Sequence, residues 1–118
     1  MRWLIAILAA VPLVACNANR DQQITGGNAR RGKALIADLG CGACHSIPGI
    51  RRAYGTVGPP LDNIGDRTIL AGMLPNTPPN MVAWLCSPQS VVPGNAMPDL
   101  GLTDSGARDV AAYLYTLR

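Results

Sequence analysis

The chain has 118 residues, a formal net charge of +3, a single lysine and no glutamate, so it holds one small domain and shows no basic stripe for nucleic acid. It has no phenylalanine, two tryptophans and three tyrosines, so the aromatic surface that usually fills a small core is nearly absent and something else must supply it. Thirteen glycines and ten prolines favour long ordered loops over long helices or sheets.

In chain order, Met1 and Arg2 give a minimal positive start, followed by an apolar run of 13 residues at 3–15. A membrane span needs about 20 residues, so this run reads as a signal-peptide core, residues 1–15. It ends in Leu13-Val14-Ala15-Cys16, which resembles the bacterial lipoprotein signal, where the cysteine is lipidated and becomes the new N-terminus. The expectation is an exported protein, lipid-anchored through Cys16 to a bacterial membrane and facing the periplasm. An ordinary secretory signal or an uncleaved anchor is the alternative. Residues 16–27 are polar, end in Gly26-Gly27 and read as a flexible tether, leaving 28–118 as the folded domain.

Asn28 is a plausible N-cap for an amphipathic helix at 29–39, with Ala34, Leu35 and Leu39 facing inward and Gly40 as its C′ residue. Gly32 in mid-helix costs roughly 1 kcal/mol against alanine, which implies close approach by another helix, the obvious partner being the last one.

Next comes Cys41-Gly42-Ala43-Cys44-His45. Cys-x-x-Cys-His is the spacing at which two thiols add to the two vinyl groups of one haem while the adjoining imidazole reaches the iron. A disulfide, a redox dithiol or half a zinc site are the competing readings. Zinc needs two further ligands that Cys86 alone cannot supply, and a dithiol oxidoreductase would want a βαβ pattern that is not visible. His45 is the only histidine in the chain.

Beyond the motif, Arg51, Arg52 and Arg67 are candidates to pair haem propionates or are simply solvated. Thr77-Pro78-Pro79 opens a helix at 78–86 that Pro88 ends. Met81, Val82 and Leu85 share its inner face, so Met81 reads as core. Trp84 either offers its indole N–H to a propionate or packs in the core. Cys86 is an odd cysteine, more a small buried hydrophobe than a reactive thiol. A last helix at 104–117, capped by Thr103, carries Val110, Tyr113, Leu114 and Leu117 on one face.

These features together resemble a class I cytochrome c: Gly32 nine residues before Cys41, the motif, Gly58-Pro59-Pro60-Leu61, a proline-flanked Met97 and a terminal helix with Tyr113. The runs Gly55-Thr56-Val57-Gly58-Pro59, Leu74-Pro75-Asn76-Thr77-Pro78, Trp84, Pro88-Gln89, Pro93-Gly94 and Met97-Pro98 are similar to the haem domain fused to subunit II of some bacterial terminal oxidases. With one histidine and no cupredoxin portion, the chain reads as that haem module detached and re-anchored by a lipid. The resemblance implies that the Pro59 carbonyl accepts from His45, that Leu61 packs on the haem face and that Met97 is the sixth iron ligand. Met97 lies 52 residues after His45 in a loop stiffened by Pro93 and Pro98, while Met73 follows a short apolar turn.

The resulting expectation is an all-α protein of the small class I cytochrome c fold, three to four short helices and long loops around one covalent haem c. It would carry single electrons between respiratory redox proteins, possibly to a terminal oxidase, with no turnover of a small-molecule substrate. A haem enzyme or gas-binding sensor with an open sixth site, and a structural haem subunit of a larger complex, remain as alternatives. The weakly charged residues about Met97 imply a partly apolar docking surface.

Overall fold

A computed structural model describes residues 25–118. The signal at 1–15, the lipidation candidate Cys16 and most of the tether lie outside the described residues.

Four helices form among the described residues: α1 (Ala29–Asp38), α2 (Pro78–Cys86), α3 (Pro88–Val91) and α4 (Asp104–Leu114). A 3-10 turn at Cys41–Ala43 carries the motif, and another spans Ile64–Asp66. Each long helix starts where a short polar side chain takes up an orphan N–H. Asn28 accepts from the Arg31 N–H, Thr77 from Asn80 and Thr103 from Gly106. Pro78 at the first turn of α2 gives up no hydrogen bond there. Gly40 adopts φ 72°, the left-handed geometry that ends α1.

α4 is the axis of the domain, packed against both α1 and α2. Ala107, Ala111 and Ala112 are fully buried, and Val110 and Leu114 nearly so. α1 crosses α4 at Gly32. A Cβ on Gly32 would run into the Asp109 carbonyl, so the mid-helix glycine is required by the crossing. The crossing corrects one sequence expectation. Ile36, one turn after Gly32, is buried, whereas Ala34 is exposed. At about 100° per residue, position 34 points roughly opposite to position 32. Leu35 and Leu39 are half-buried. A second correction concerns α4, which stops at Leu114. The following residues turn so that the Leu117 carbonyl accepts from Gly65 N at 2.8 Å, and Leu117 packs from outside the helix.

The packed chain also starts before residue 28. Thr25 is buried, its carbonyl accepts from Arg108 Nη1 at 3.1 Å, and Gly27 lies against the Arg108 backbone with no room for a side chain. The sequence carries no sign of the ribbon formed by β1 (Ile69–Leu70) and β2 (Leu74–Pro75), antiparallel with Leu70 opposite Leu74. Ala71 and Gly72 both have positive φ in its turn, which suits a tight two-strand connection.

Asp109 fastens the α1–α4 crossing. Its carboxylate, almost wholly buried, accepts from Asn28 N at 2.7 Å and from Arg31 Nε and Nη2 at 2.8 and 2.9 Å. The hydrogen bond from Arg31 holds this carboxyl below the usual carboxylate range, against the effect of burial. Its stabilising contribution is therefore complete above that range and is lost as falling pH protonates the group. Asp109→Asn should cost about 1–3 kcal/mol at neutral pH, chiefly through the buried hydrogen bonds, because solvent takes over the exposed Arg31 charge. Urea denaturation at neutral and acidic pH checks this, the variant showing a shallower loss on acidification.

Candidate functional site

The motif is wound so tightly that its three functional residues border one cavity. The Cys44 and His45 N–H groups both donate to the Cys41 carbonyl, at 3.2 and 3.0 Å, so positions 41, 44 and 45 share one face of a single turn. The segment 55–61 lies flat alongside, with Gly55 N donating to Gly42 O, Gly58 N to Cys44 O and Leu61 N to Ser46 O at 2.8–3.0 Å. Glycine makes this possible. A Cβ on Gly55 would meet the backbone of Ala43 and Cys44, and one on Gly58 would strike the His45 ring.

Between these segments, the ribbon, α2, α4 and the loop after α3 lies a cavity of ≈ 470 Å³. It brings together Cys41, Cys44, His45, Pro59, Leu61, Trp84 and Met97, every cofactor-site residue expected from the sequence. Apart from the motif side chains, Arg67, Trp84 and Asn95, its lining is apolar or glycine. The His45 Nδ1 lies 2.7 Å from the Pro59 carbonyl. A carbonyl only accepts, so Nδ1 carries the hydrogen, and in the neutral ring this tautomer leaves the Nε2 lone pair for a metal. This is the outer hydrogen bond that normally orients a ligating imidazole.

The donor set decides between the readings of the motif. No three His, Cys, Asp or Glu side chains among the described residues are placed to hold a metal ion together, and Cys86 does not border the cavity, so the zinc reading lacks its ligand set. Burial raises the Cys41 thiol above its ordinary pKa, the reverse of an activated redox dithiol. A flat apolar ring attached through two thiols and ligated by one imidazole fits both the walls and the donors. Trp84 is half-buried at the wall, and its indole N–H meets no protein acceptor among the described residues.

The three arginines separate. Arg67 borders the cavity, and its Nη2 donates to the carbonyls of Pro60 and of Asp62, the latter at 2.9 Å, bracing the loop that carries Pro59. Arg51 and Arg52 are exposed and do not border it. The methionines separate too. Met97 is half-buried at the wall, Met81 is buried and also borders the cavity, and Met73 is 66% exposed and does not border it. Cys86 is half-buried beside Pro78, Pro79 and Arg108, away from the cavity, and burial raises its pKa. Val57 (73% exposed), Ile69, Ala96 and Pro98 are exposed, uncharged residues that border the cavity.

A family model described as Cytochrome c matches residues 29–118. The sequence is similar to three proteins named cytochrome c oxidase subunit 2. Identity is 34% over 90 residues with that of Alkalihalophilus pseudofirmus (strain ATCC BAA-2126 / JCM 17055 / OF4), covering 76% of this chain and 25% of that protein. It is 34% over 94 residues with that of Bacillus subtilis (strain 168), covering 76% and 26%. With that of Bacillus sp. (strain PS3) it is 32% over 99 residues, covering 80% and 28%. The chain thus spans about a quarter of the length of the curated relatives it matches.

Proposed function

Because the chain belongs to the cytochrome c family and so carries covalently bound haem c with its iron, we propose that Cys41 and Cys44 bear the thioether bonds, that His45 and Met97 are the axial ligands, and that the protein passes single electrons in a respiratory chain. One observation carries this reading: Cys41, Cys44, His45, whose Nδ1 is already bonded to the Pro59 carbonyl, and Met97 all border one largely apolar cavity. When bound, the haem would supply a one-electron couple at its iron, and ligation by the Met97 thioether together with the His45 imidazole would raise its potential. The chain's own residues attach the ring at Cys41 and Cys44, fix the His45 tautomer and exclude water with the apolar wall. Such a protein transfers electrons and turns over no substrate of its own.

An absorption spectrum in both redox states, with and without carbon monoxide, tests the assignment. A six-coordinate spectrum that carbon monoxide leaves unchanged is the expected result. A ferrous form that binds carbon monoxide readily would replace electron carriage with a gas-binding or enzymatic role.

The proposed partners are respiratory redox proteins, with a terminal oxidase as electron acceptor. The names of the relatives support that acceptor, and the exposed apolar residues Val57, Ile69, Ala96 and Pro98 beside the cavity would supply a surface for it. We further propose attachment to a bacterial membrane on its exported face through a lipid at Cys16, after removal of residues 1–15. The sequence pattern at 13–16 supports this. With packing beginning at Thr25, the nine residues 16–24 can hold the domain up to about 30 Å from the lipid. Cys16→Ser should abolish lipid labelling and leave the precursor uncleaved by the lipoprotein route. Metabolic lipid labelling with N-terminal mass analysis checks this, and a native N-terminus beyond residue 16 would remove the anchor.

A further inference from the structure

Met97 sits in a loop without regular secondary structure, between α3 and α4, yet its main chain is held on both sides by carboxamides. The Gln89 side chain, from the first turn of α3, donates through Nε2 to the carbonyls of Asn95 at 2.9 Å and Met97 at 2.8 Å. Its Oε1 accepts from Gly94 N at 3.1 Å. The Asn95 side chain runs the other way, donating to the carbonyls of Pro88 at 3.0 Å and Val92 at 2.7 Å and accepting from Met97 N at 2.7 Å. Asp99 closes the loop, its Oδ1 accepting from Gln89 N at 3.4 Å.

Both amide orientations follow from this network. Reversing either one would aim an oxygen at two carbonyl oxygens and an NH₂ group at an N–H. All four amide hydrogens are used, and the N–H and C=O of Met97 itself each end on a side chain. Only an amide can donate twice and accept once in this way. Gln89 and Asn95 are themselves half-buried, so water competes weakly for these bonds. Pro93, Pro98 and Gly94 at φ 80° shape the loop, but they do not tie it to α3. The amides do.

We propose that Gln89 and Asn95 are positioning residues that hold the Met97 thioether at the cavity wall, and that they set how firmly Met97 stays on the iron. The inference rests on the reading of Met97 as axial ligand. A thioether is a weak, neutral ligand, so it is retained when its loop is already placed and lost when the loop must be ordered on each binding. Gln89 controls the carbonyl side of Met97 and Asn95 the N–H side.

The test uses the full-length holoprotein and compares Gln89→Leu, Gln89→Glu, Asp109→Asn and Met97→Ala. The readouts are the far-red ferric charge-transfer band of a methionine-ligated haem, carbon monoxide binding to the ferrous form, the reduction potential and stability to urea. Gln89→Leu should weaken the band, lower the potential and raise apparent carbon monoxide affinity by about 10- to 100-fold, the usual scale for removing an outer partner of a metal ligand. Gln89→Glu keeps the acceptor for Gly94 but loses both donors, and should show the same changes even if the leucine variant fails to fold. Asp109→Asn, which weakens the fold away from the site, should lower urea stability with the band intact. Gln89 variants that lose stability while keeping band, potential and ligand exclusion would overturn the proposal and leave these amides as structural supports. A Met97→Ala variant that keeps the band would instead overturn the ligand assignment itself.

Discussion

Replacing Cys41 or Cys44 by alanine should sharply lower the yield of holoprotein, and acid acetone should extract none of the wild-type pigment but some of what the variants retain. The reason reaches beyond the lost bond. The haem replaces core that the sequence does not contain: there is no phenylalanine, and the cavity of ≈ 470 Å³ is bordered by Ile36, Ile47, Leu70, Met81, Leu85 and Leu114. At about 24 cal/mol per Å³, leaving that volume unfilled costs on the order of 10 kcal/mol, an upper figure because water enters. Small domains have only about 5–15 kcal/mol in total. A chain that cannot keep its haem should therefore fail to hold its fold, and α1, α2 and α4 should lose helical circular dichroism in the apo form. Pigment fully extractable from the wild type would sink the covalent attachment.

On the proposed ligation, Met97→Ala should lower the reduction potential and let carbon monoxide bind the ferrous form, because the iron would then lack a sixth ligand. Met81→Ala is the control. Met81 is 1% exposed, so truncating it should cost about 2–5 kcal/mol of stability while the iron keeps its ligands. The structure gives this comparison its force, since Met81 and Met97 both border the cavity while Met73 does not. Redox titration and carbon monoxide spectra decide it. Persistent ligand exclusion in the Met97 variant would pass the role to Met81.

Much of the site is legible in the chain because its chemistry is local. The Cys41–His45 spacing places three side chains on one turn whatever surrounds it. Caps behave the same way, since Asn28, Thr77 and Thr103 each bond an N–H three residues on. The Pro59 and Met97 assignments came through family resemblance, and the geometry brings both to the same cavity as His45.

Contacts between distant segments are of another kind. The sequence pattern puts Ala34 inward and passes over Ile36, because the choice depends on where α1 crosses α4, and that is set by Gly32 meeting a carbonyl 77 positions away. Arg67 is distinguished from Arg51 and Arg52 only by the loop that turns it toward the Pro60 and Asp62 carbonyls. Gln89 and Asn95 look like ordinary polar residues between prolines until the loop folds back and their amides find the main chain of Met97. Residue identity dictates bonds that close within a turn or so, because the backbone brings those partners together in any fold. The cavity and its clamps belong to the volume left between elements, and that volume exists only after the helices have chosen their crossing.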